Sequence, residues 1–190
     1  MDQTGSIQTH PTSKMRRAFL ISFLLFLFNP HPGLGQPMAW AALKETIRTA
    51  FPEVRHLSTD SLAAWLASPS AAPLLLDVRA EAEFAVSHLQ NARRIDPDTR
   101  NFAFLQDLPL DTPMVTYCSV GYRSSEMAQR LREAGFTNVV NLEGSIFEWA
   151  NEGRSVYRHD RAVRQVHPYD EIWGFLLKKE LRAYTVSPER

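Results

Sequence analysis

The chain has 190 residues, and its 21 basic and 21 acidic side chains balance to a formal net charge of zero. Because no long basic stripe is visible, we predict no nucleic-acid partner. The single cysteine excludes an intramolecular disulfide and a zinc site of the multi-cysteine kind, and the six histidines lack metal-ligand spacing. The sequence therefore predicts one globular domain, with a tail and no bound metal.

The N-terminal region has the features of an export signal. Lys14, Arg16 and Arg17 precede an apolar run at residues 18–28. This run is too short for a membrane-spanning helix of roughly 20 residues, but it suits the roughly 7–15 residues of a signal-peptide core. We predict a signal peptide over residues 1–41 and export to the periplasm or secretion, with no stable membrane span after processing. The alternative is an uncleaved segment that anchors the protein to the membrane.

Two cleavage positions and two start positions fit this signal. The small residues before Gly35 lie close to the apolar run, whereas Ala39-Trp40-Ala41 has the preferred alanines but lies farther away. We favour cleavage after Ala41. Since Met15 begins a compact basic segment, we also predict that translation starts there.

Strands and helices alternate after a predicted linker at residues 42–54. Strands are predicted at residues 54–58, 74–78, 92–96, 113–118 and 138–142, and helices at 59–68, 80–89, 101–108, 125–136 and 145–153. The apolar run at 74–78 is typical of a parallel strand that is buried on both faces. The alternation predicts an α/β fold with a mainly parallel sheet. The tail at residues 156–190 carries apolar residues and is predicted to form a helix that packs on the domain.

The only cysteine, Cys118, lies in the stretch CSVGYRSS between a predicted strand and a predicted helix. Ligands of open parallel sheets bind beyond the carboxyl ends of the strands. Backbone N–H groups before a helix favour an anion, so they stabilise the thiolate, which is the nucleophilic form of cysteine. Gly121 permits the positive φ of a tight loop, Arg123 adds positive charge, and Ser124 is predicted to cap the helix. The predicted binding loop comprises Ser119, Val120, Gly121, Tyr122, Arg123 and Ser124.

The length of this loop separates two kinds of chemistry. Cysteine phosphatases place an arginine six positions after the cysteine, whereas Arg123 follows Cys118 by five. The shorter ring favours a single persulfide sulfur over a tetrahedral phosphate or arsenate.

Three motifs in the expected order resemble those of rhodanese-like sulfurtransferases. They are CSVGYRS, the upstream stretch LLLDVRAEAEFAVSHLQNA, and the closing segment NVVNLEGSIFEWANEG. The resemblance spans residues 55–155. It implies a single rhodanese domain, which is a three-layer α/β/α sandwich around a five-stranded sheet.

The resemblance also implies an activity. Cys118 would take a sulfane sulfur from a donor such as thiosulfate or a persulfide, and would pass it to an acceptor such as cyanide, a thiol or a protein. No cofactor or metal is implied. The alternatives are a non-catalytic rhodanese module that binds a partner protein and, from the loop chemistry, a phosphatase or arsenate reductase.

Several positions depart from the family pattern. Ser87, Gln90-Asn91 and Glu143 stand where the family has glycine or proline-glycine. Ser119, Val120 and Tyr122 are uncharged where many thiosulfate-using members have a basic residue, so we expect poor affinity for thiosulfate. A persulfide on another protein or on a small thiol is the alternative donor.

Two charged residues lie at the end of the second predicted strand, on the same side of the sheet as Cys118. The resemblance suggests that Asp77 and Arg79 brace the site, and Arg79 is predicted to pair with Glu83 one helical turn on. We predict a structural role for both, and also for His88. His167 has no predicted partner.

Overall fold

The structure is a computed structural model that describes residues 36–68 and 72–186. The described residues from Trp40 onwards form one compact unit. Residues 1–35 of the predicted signal segment, including the predicted start at Met15, lie outside the described residues, whereas its residues 36–41 are described. Among the described residues, no helix is long and apolar enough to cross a membrane.

Five short strands form one parallel sheet. The strands are β1 (Arg55–Leu57), β2 (Leu74–Asp77), β3 (Arg93–Arg94), β4 (Met114–Tyr117) and β5 (Val139–Leu142), in the spatial order β1-β5-β4-β2-β3. Every neighbouring pair is parallel. All residues of β4 and β5 are buried, as expected where both faces of a parallel sheet are covered. The predicted α/β fold with a five-stranded parallel sheet is confirmed.

Helices connect and flank these strands. They are α1 (Gln36–Ala50), α2 (Thr59–Ala67), α3 (Glu81–Val86), α4 (Tyr122–Glu133), α5 (Ser145–Asn151) and α6 (Glu171–Gly174), with short 3-10 helices at Ala103–Leu105 and Lys179–Leu181. In α4, Met127 and Leu131 are fully buried, four residues apart on one face. Gly135 follows this helix with φ 105°, the left-handed value typical of a helix C-terminus.

The prediction of a linker at residues 42–54 was wrong. Helix α1 occupies most of this range, and its Leu43 and Ile47 are buried one turn apart. The buried pair fixes one face of the helix to the domain, while Lys44 and Arg48 form ion pairs. An amphipathic pattern was present, but its apolar face is narrow.

The prediction of a helical tail was mostly wrong, although the tail does pack on the domain. It begins with the antiparallel pair β6 (Val156–Arg158) and β7 (Arg161–Val163), and α6 is a single turn. The Asn151 side chain binds the carbonyl of Leu176 at 2.7 Å and the N–H of Lys178 at 2.9 Å. The N–H groups of Phe175, Leu176 and Leu177 donate to carbonyls three residues earlier, so the chain continues in turns, and Leu176 and Leu177 are buried.

Candidate active site

Cys118 directly follows β4, at the edge of the sheet where the strands end. The turn into α4 is made by Gly121, which has φ 114° and precedes the first helical residue. This left-handed conformation favours glycine. A Cβ on Gly121 would lie 3.4 Å from the side-chain nitrogen of Asn141 and 3.6 Å from Ile47, so the turn is also closely packed.

Hydrogen-bond donors surround the sulfur of Cys118. The N–H of Gly121 donates to Sγ over 3.1 Å, and the N–H of Ser124 is a second donor that lowers the pKa of the thiol. Converging donors of this kind form a cradle for an anion. The cradle is dry, since Cys118 is 1% exposed.

The first turn of α5 holds the outer side of the same loop. Ser145 Oγ accepts the N–H of Cys118 over 3.1 Å. The N–H groups of Ile146 and Phe147 donate to the carbonyls of Cys118 and Ser119 over 3.2 and 3.1 Å. Because its carbonyls face α5, the loop can direct N–H groups towards the sulfur.

The cradle determines the ionisation of the thiol. Burial raises the pKa of Cys118, but the Arg123 guanidinium and the donors of Ser124 and Gly121 outweigh burial and lower it below its usual value. The site therefore favours the thiolate, the form of cysteine that attacks sulfur or carbon.

Arg123 is held by a carboxylate. Its Nη1 and Nη2 atoms donate to Glu83 Oε2 and Oε1, each over 2.8 Å, and Nη2 also donates to Ser119 Oγ over 2.9 Å. Burial raises the pKa of Glu83, but its bonds to Arg123 outweigh burial and lower it. Glu83 also accepts the N–H of Ala80 at the start of α3, over 3.0 Å, so the carboxylate links the two helices.

The predicted pairing of Arg79 with Glu83 was wrong. Arg79 binds Asp77 through two side-chain bonds of 2.9 and 2.7 Å and donates to the Ser87 carbonyl over 2.6 Å. Both side chains of the pair are fully buried. Asp77 is the last residue of β2, and its short side chain reaches Arg79 directly, whereas Glu83 is already occupied by Arg123.

The predicted cap at Ser124 was also wrong. Helix α4 begins at Tyr122, so Ser124 lies inside its first turn, and its hydroxyl donates to Asn141 Oδ1 over 2.6 Å. The ring of Tyr122 contacts Phe51 edge to face, with centroids 5.1 Å apart. Val120 is buried. Of the predicted binding loop, Gly121, Arg123 and Ser124 act on the Cys118 sulfur, and Ser119 binds Arg123.

The sequence profile of the rhodanese-like domain family matches residues 58–152. The chain belongs to the rhodanese-like domain family. The matched segment contains the whole cysteine loop, residues 118–125, together with Glu83, Asp77 and Arg79.

Curated relatives share parts of this domain. The chain is 37% identical over 79 residues to "Probable adenylyltransferase/sulfurtransferase MoeZ" of Mycobacterium tuberculosis, covering 41% of this chain and 20% of that protein. It is 29% identical over 138 residues to the tRNA uridine(34) hydroxylase of Escherichia coli, covering 68% of this chain and 38% of that protein. Rhodanese domains thus occur in relatives whose names differ in activity.

Solved structures agree on the fold. The thiosulfate sulfurtransferase of Pseudomonas aeruginosa matches with a TM-score of 0.53 and 19% identity, over 61% of this chain and 22% of that one. The BH2092 protein of Bacillus halodurans matches with a TM-score of 0.52 and 18% identity, over 65% and 88% of the two chains. At these identities the likeness shows the fold alone.

Two segments outside the matched rhodanese range reach the cysteine loop, and sequence reasoning missed both. From the tail, the ring of Tyr169 covers Arg123, with the guanidinium carbon 4.8 Å from the ring centroid. Tyr169 has φ 69°, and its N–H donates to His167 Nδ1 over 3.0 Å. His167 therefore does have a partner. No spacing in the tail marks these residues as part of the site.

From the other side, helix α1 supports the loop. Arg48 donates to Glu143 over 2.9 Å, and Lys44 donates to Glu148 over 2.6 Å. Glu143 stands where the rhodanese pattern has glycine, and the structure accounts for this departure because the carboxylate fastens α1 beside the closing segment.

His88 has a structural environment. Its ring stacks on Phe84 with centroids 4.1 Å apart, and Nδ1 lies 3.0 Å from the carbonyl of Leu89.

Proposed function

We propose that the protein is a sulfurtransferase that carries sulfane sulfur on Cys118. The observation that carries this proposal is the cradle around Cys118, the only thiol of the chain. Its sulfur accepts hydrogen bonds from Gly121 and Ser124, and the charge of Arg123 lies close by. A terminal persulfide sulfur is a single anionic atom, and a small ring of donors suits it. The sulfurtransferase name of one relative is consistent with this proposal.

The proposed reaction has two steps. The Cys118 thiolate attacks the outer sulfur of the donor, the S–S bond of the donor breaks, and the leaving group departs with the electron pair. A nucleophilic acceptor then attacks the terminal sulfur of the persulfide, and the thiolate of Cys118 leaves. The donors that stabilise the thiolate serve both steps, because negative charge returns to this sulfur at the end.

We further propose a persulfide, rather than thiosulfate, as the preferred donor. Arg123 is the only charged residue in the loop at 118–125, and two bonds commit it to Glu83. A dianion would therefore meet a cation whose charge is already compensated. A persulfide of a small thiol or of a partner protein carries less charge at the reacting sulfur.

A non-catalytic rhodanese module is the second candidate. It is favoured by the burial of Cys118 and by exposed apolar side chains in the tail, where Tyr169, Ile172 and Phe175 are each about half exposed. Such a surface suits a partner protein. A module of this kind would not need the thiol.

Release of thiocyanate from cyanide and a persulfide donor tests the two candidates. A sulfurtransferase loses this activity in Cys118→Ser, with no change in circular dichroism. The matched control places a thiol elsewhere: Cys118→Ser combined with Glu53→Cys, at an exposed turn, should remain inactive. Activity of a few per cent or more in Cys118→Ser would contradict the proposal, and an inactive wild type would favour the module.

Export remains a proposal that rests on residues 14–28. We propose cleavage after Gly35, because it keeps every described residue of α1, whereas cleavage after Ala41 would remove residues 36–41 of this helix. Sequencing the N-terminus of the exported protein would distinguish the two positions. A mature protein that still carries the apolar run at residues 18–28 would indicate the uncleaved anchor.

A further inference from the structure

A chain of polar side chains joins His56 to Cys118. His56 on β1 and Asn141 on β5 are register partners, and Asn141 Nδ2 lies 3.2 Å from His56 Nδ1. The Ser124 hydroxyl donates to Asn141 Oδ1 over 2.6 Å, and a hydrogen bond from the same hydroxyl to Cys118 would lower the pKa of the thiol. Asn141 and Ser124 are fully buried, so water does not supply alternative partners as it would at the surface.

The chemistry of these groups fixes the direction of each bond. An amide oxygen only accepts, so the Ser124 hydroxyl donates to Asn141 Oδ1. The Asn141 NH₂ group then faces His56 and donates to Nδ1, which must carry no proton. The neutral imidazole therefore bears its proton on Nε2, and this atom is buried without a hydrogen-bond partner among the described residues.

The Ser124 hydroxyl has two candidate acceptors, Asn141 Oδ1 and Cys118 Sγ, but it has only one proton to donate. When it donates to Asn141, it cannot also donate to the thiolate of Cys118. A neutral thiol needs no such donor, whereas a thiolate gains from it. The orientation of the Asn141 amide thus determines whether the sulfur receives the Ser124 proton.

We infer that His56 is a positioning residue for Cys118 that acts through Asn141 and Ser124. A second proton, on Nδ1, turns His56 from an acceptor into a donor. The Asn141 amide must then rotate so that Oδ1 faces His56 and the NH₂ group faces Ser124. Ser124 accepts from this NH₂ group, and its own proton turns to the sulfur. One protonation at β1 thereby adds a donor to the thiolate, and no atom of His56 touches the reaction.

Charged groups near His56 and near Cys118 influence the pH at which each of the two residues titrates. Burial lowers the pKa of His56, Glu143 raises it and Arg48 lowers it, with a net lowering. Cys118 faces Arg123, which is itself paired with Glu83. The second protonation of His56 therefore falls on the acid side of its usual value of about 6.5. Because His56 and Cys118 are coupled, two apparent pKa values are expected, and they describe the pair and not either residue alone.

The rate of Cys118 alkylation by iodoacetamide, from about pH 4 to about pH 9, tests this inference. It measures thiolate reactivity and does not depend on sulfur transfer. In the wild type we expect two steps, because His56 protonation maintains the thiolate as the pH falls. His56→Phe and Ser124→Ala should each show one step, and the acid-side rate should fall about tenfold, the order expected for one hydrogen bond to a charged group. The control His159→Asn, in the turn between β6 and β7, should keep both steps.

Three results would overturn the inference. They are a single step in the wild type, loss of the second step in His159→Asn, and retention of both steps in Ser124→Ala. The last would mean that His56 acts on the thiolate through space. Because His56→Phe can alter folding, the ring nitrogen shifts of His56 in the wild type provide a second test. Above pH 7 we expect the proton on Nε2, and a proton on Nδ1 would contradict the bond directions.

Discussion

The site contains two arginine–carboxylate pairs whose bond lengths are similar and whose surroundings differ. Arg79 and Asp77 lie at the end of β2, and both side chains are 0% exposed. Arg123 and Glu83 join the cysteine loop to α3, and the Arg123 side chain is 21% exposed. The first pair is enclosed by the domain, whereas the second forms one wall of the cradle beside Cys118.

This difference indicates different roles. A buried charge costs several kcal/mol unless its partner is present, so the inner pair acts as a fixed part of the fold. The outer pair is accessible from one side and controls how much positive charge reaches the sulfur and its donor. Four predictions test whether the two pairs have these different roles.

Asp77→Asn should have the largest effect on stability. It leaves the Arg79 charge buried without a counter-ion, and breaking a buried pair in this way costs about 3–5 kcal/mol. Denaturant unfolding measures this loss. The double variant Asp77→Leu with Arg79→Met is the matched control, and it should be less destabilised than Asp77→Asn. Equal losses would mean that packing, and not the unpaired charge, holds this edge of the sheet.

Glu83→Gln should change the preference between sulfur donors and should have a smaller effect on stability. With the carboxylate neutral, Arg123 can meet an anionic donor, and the pKa of Cys118 should fall further. We expect the kcat/KM for thiosulfate to rise about tenfold relative to that for a persulfide, as for one charge-assisted hydrogen bond. Glu81→Gln, on the exposed side of the same helix, should leave the ratio unchanged. An unchanged ratio in Glu83→Gln would refute the proposal that Glu83 compensates Arg123.

The outer pair should also contribute to stability in a pH-dependent way. The pKa of Glu83 is lower in the folded protein than its ordinary value of about 4.3. Its contribution is therefore complete above that value and is lost as the pH falls through the folded pKa. Denaturant unfolding at a series of acid pH values should show a steeper loss of unfolding free energy in the wild type than in Glu83→Gln. Parallel curves would contradict this assignment.

Tyr169→Ala should have the smallest effect. A cation–π contact at an exposed site contributes about 0.5–1 kcal/mol. Removing the ring exposes Arg123, so we expect the KM for thiosulfate to fall about two- to fivefold, with kcat unchanged. Tyr184→Ala is a suitable control, because Tyr184 contacts His167 and not Arg123. A fall in KM that is equal in both variants would indicate a general loosening of the tail.

The matched rhodanese range was the part most open to prediction from sequence. Buried parallel strands leave continuous apolar runs such as the one ending at Asp77, and Gly121 marks a turn that other residues adopt only with strain. The order of these signals predicted the fold and the place of Cys118 at a strand end. The partners within the site were harder, since Glu83 interacts electrostatically with both Arg79 and Arg123.

The flanking segments were predicted poorly for a physical reason. Helix α1 has only two fully buried residues, Leu43 and Ile47, so its apolar pattern is faint. In the tail, bonds from the Asn151 side chain hold the backbone at Leu176 and Lys178. Such long-range bonds leave no periodic signal. For the same reason, no sequence pattern predicted that the ring of Tyr169 covers Arg123.

The intact mass of the protein after incubation with a persulfide donor tests whether Cys118 carries sulfane sulfur. We expect the wild type to gain the mass of one sulfur atom, cyanide to remove this sulfur as thiocyanate, and Cys118→Ser to gain none. We also expect no hydrolysis of an aryl phosphate. A wild type without the gain, a gain that persists in Cys118→Ser, or phosphate turnover that is lost in Cys118→Ser would contradict the sulfurtransferase proposal.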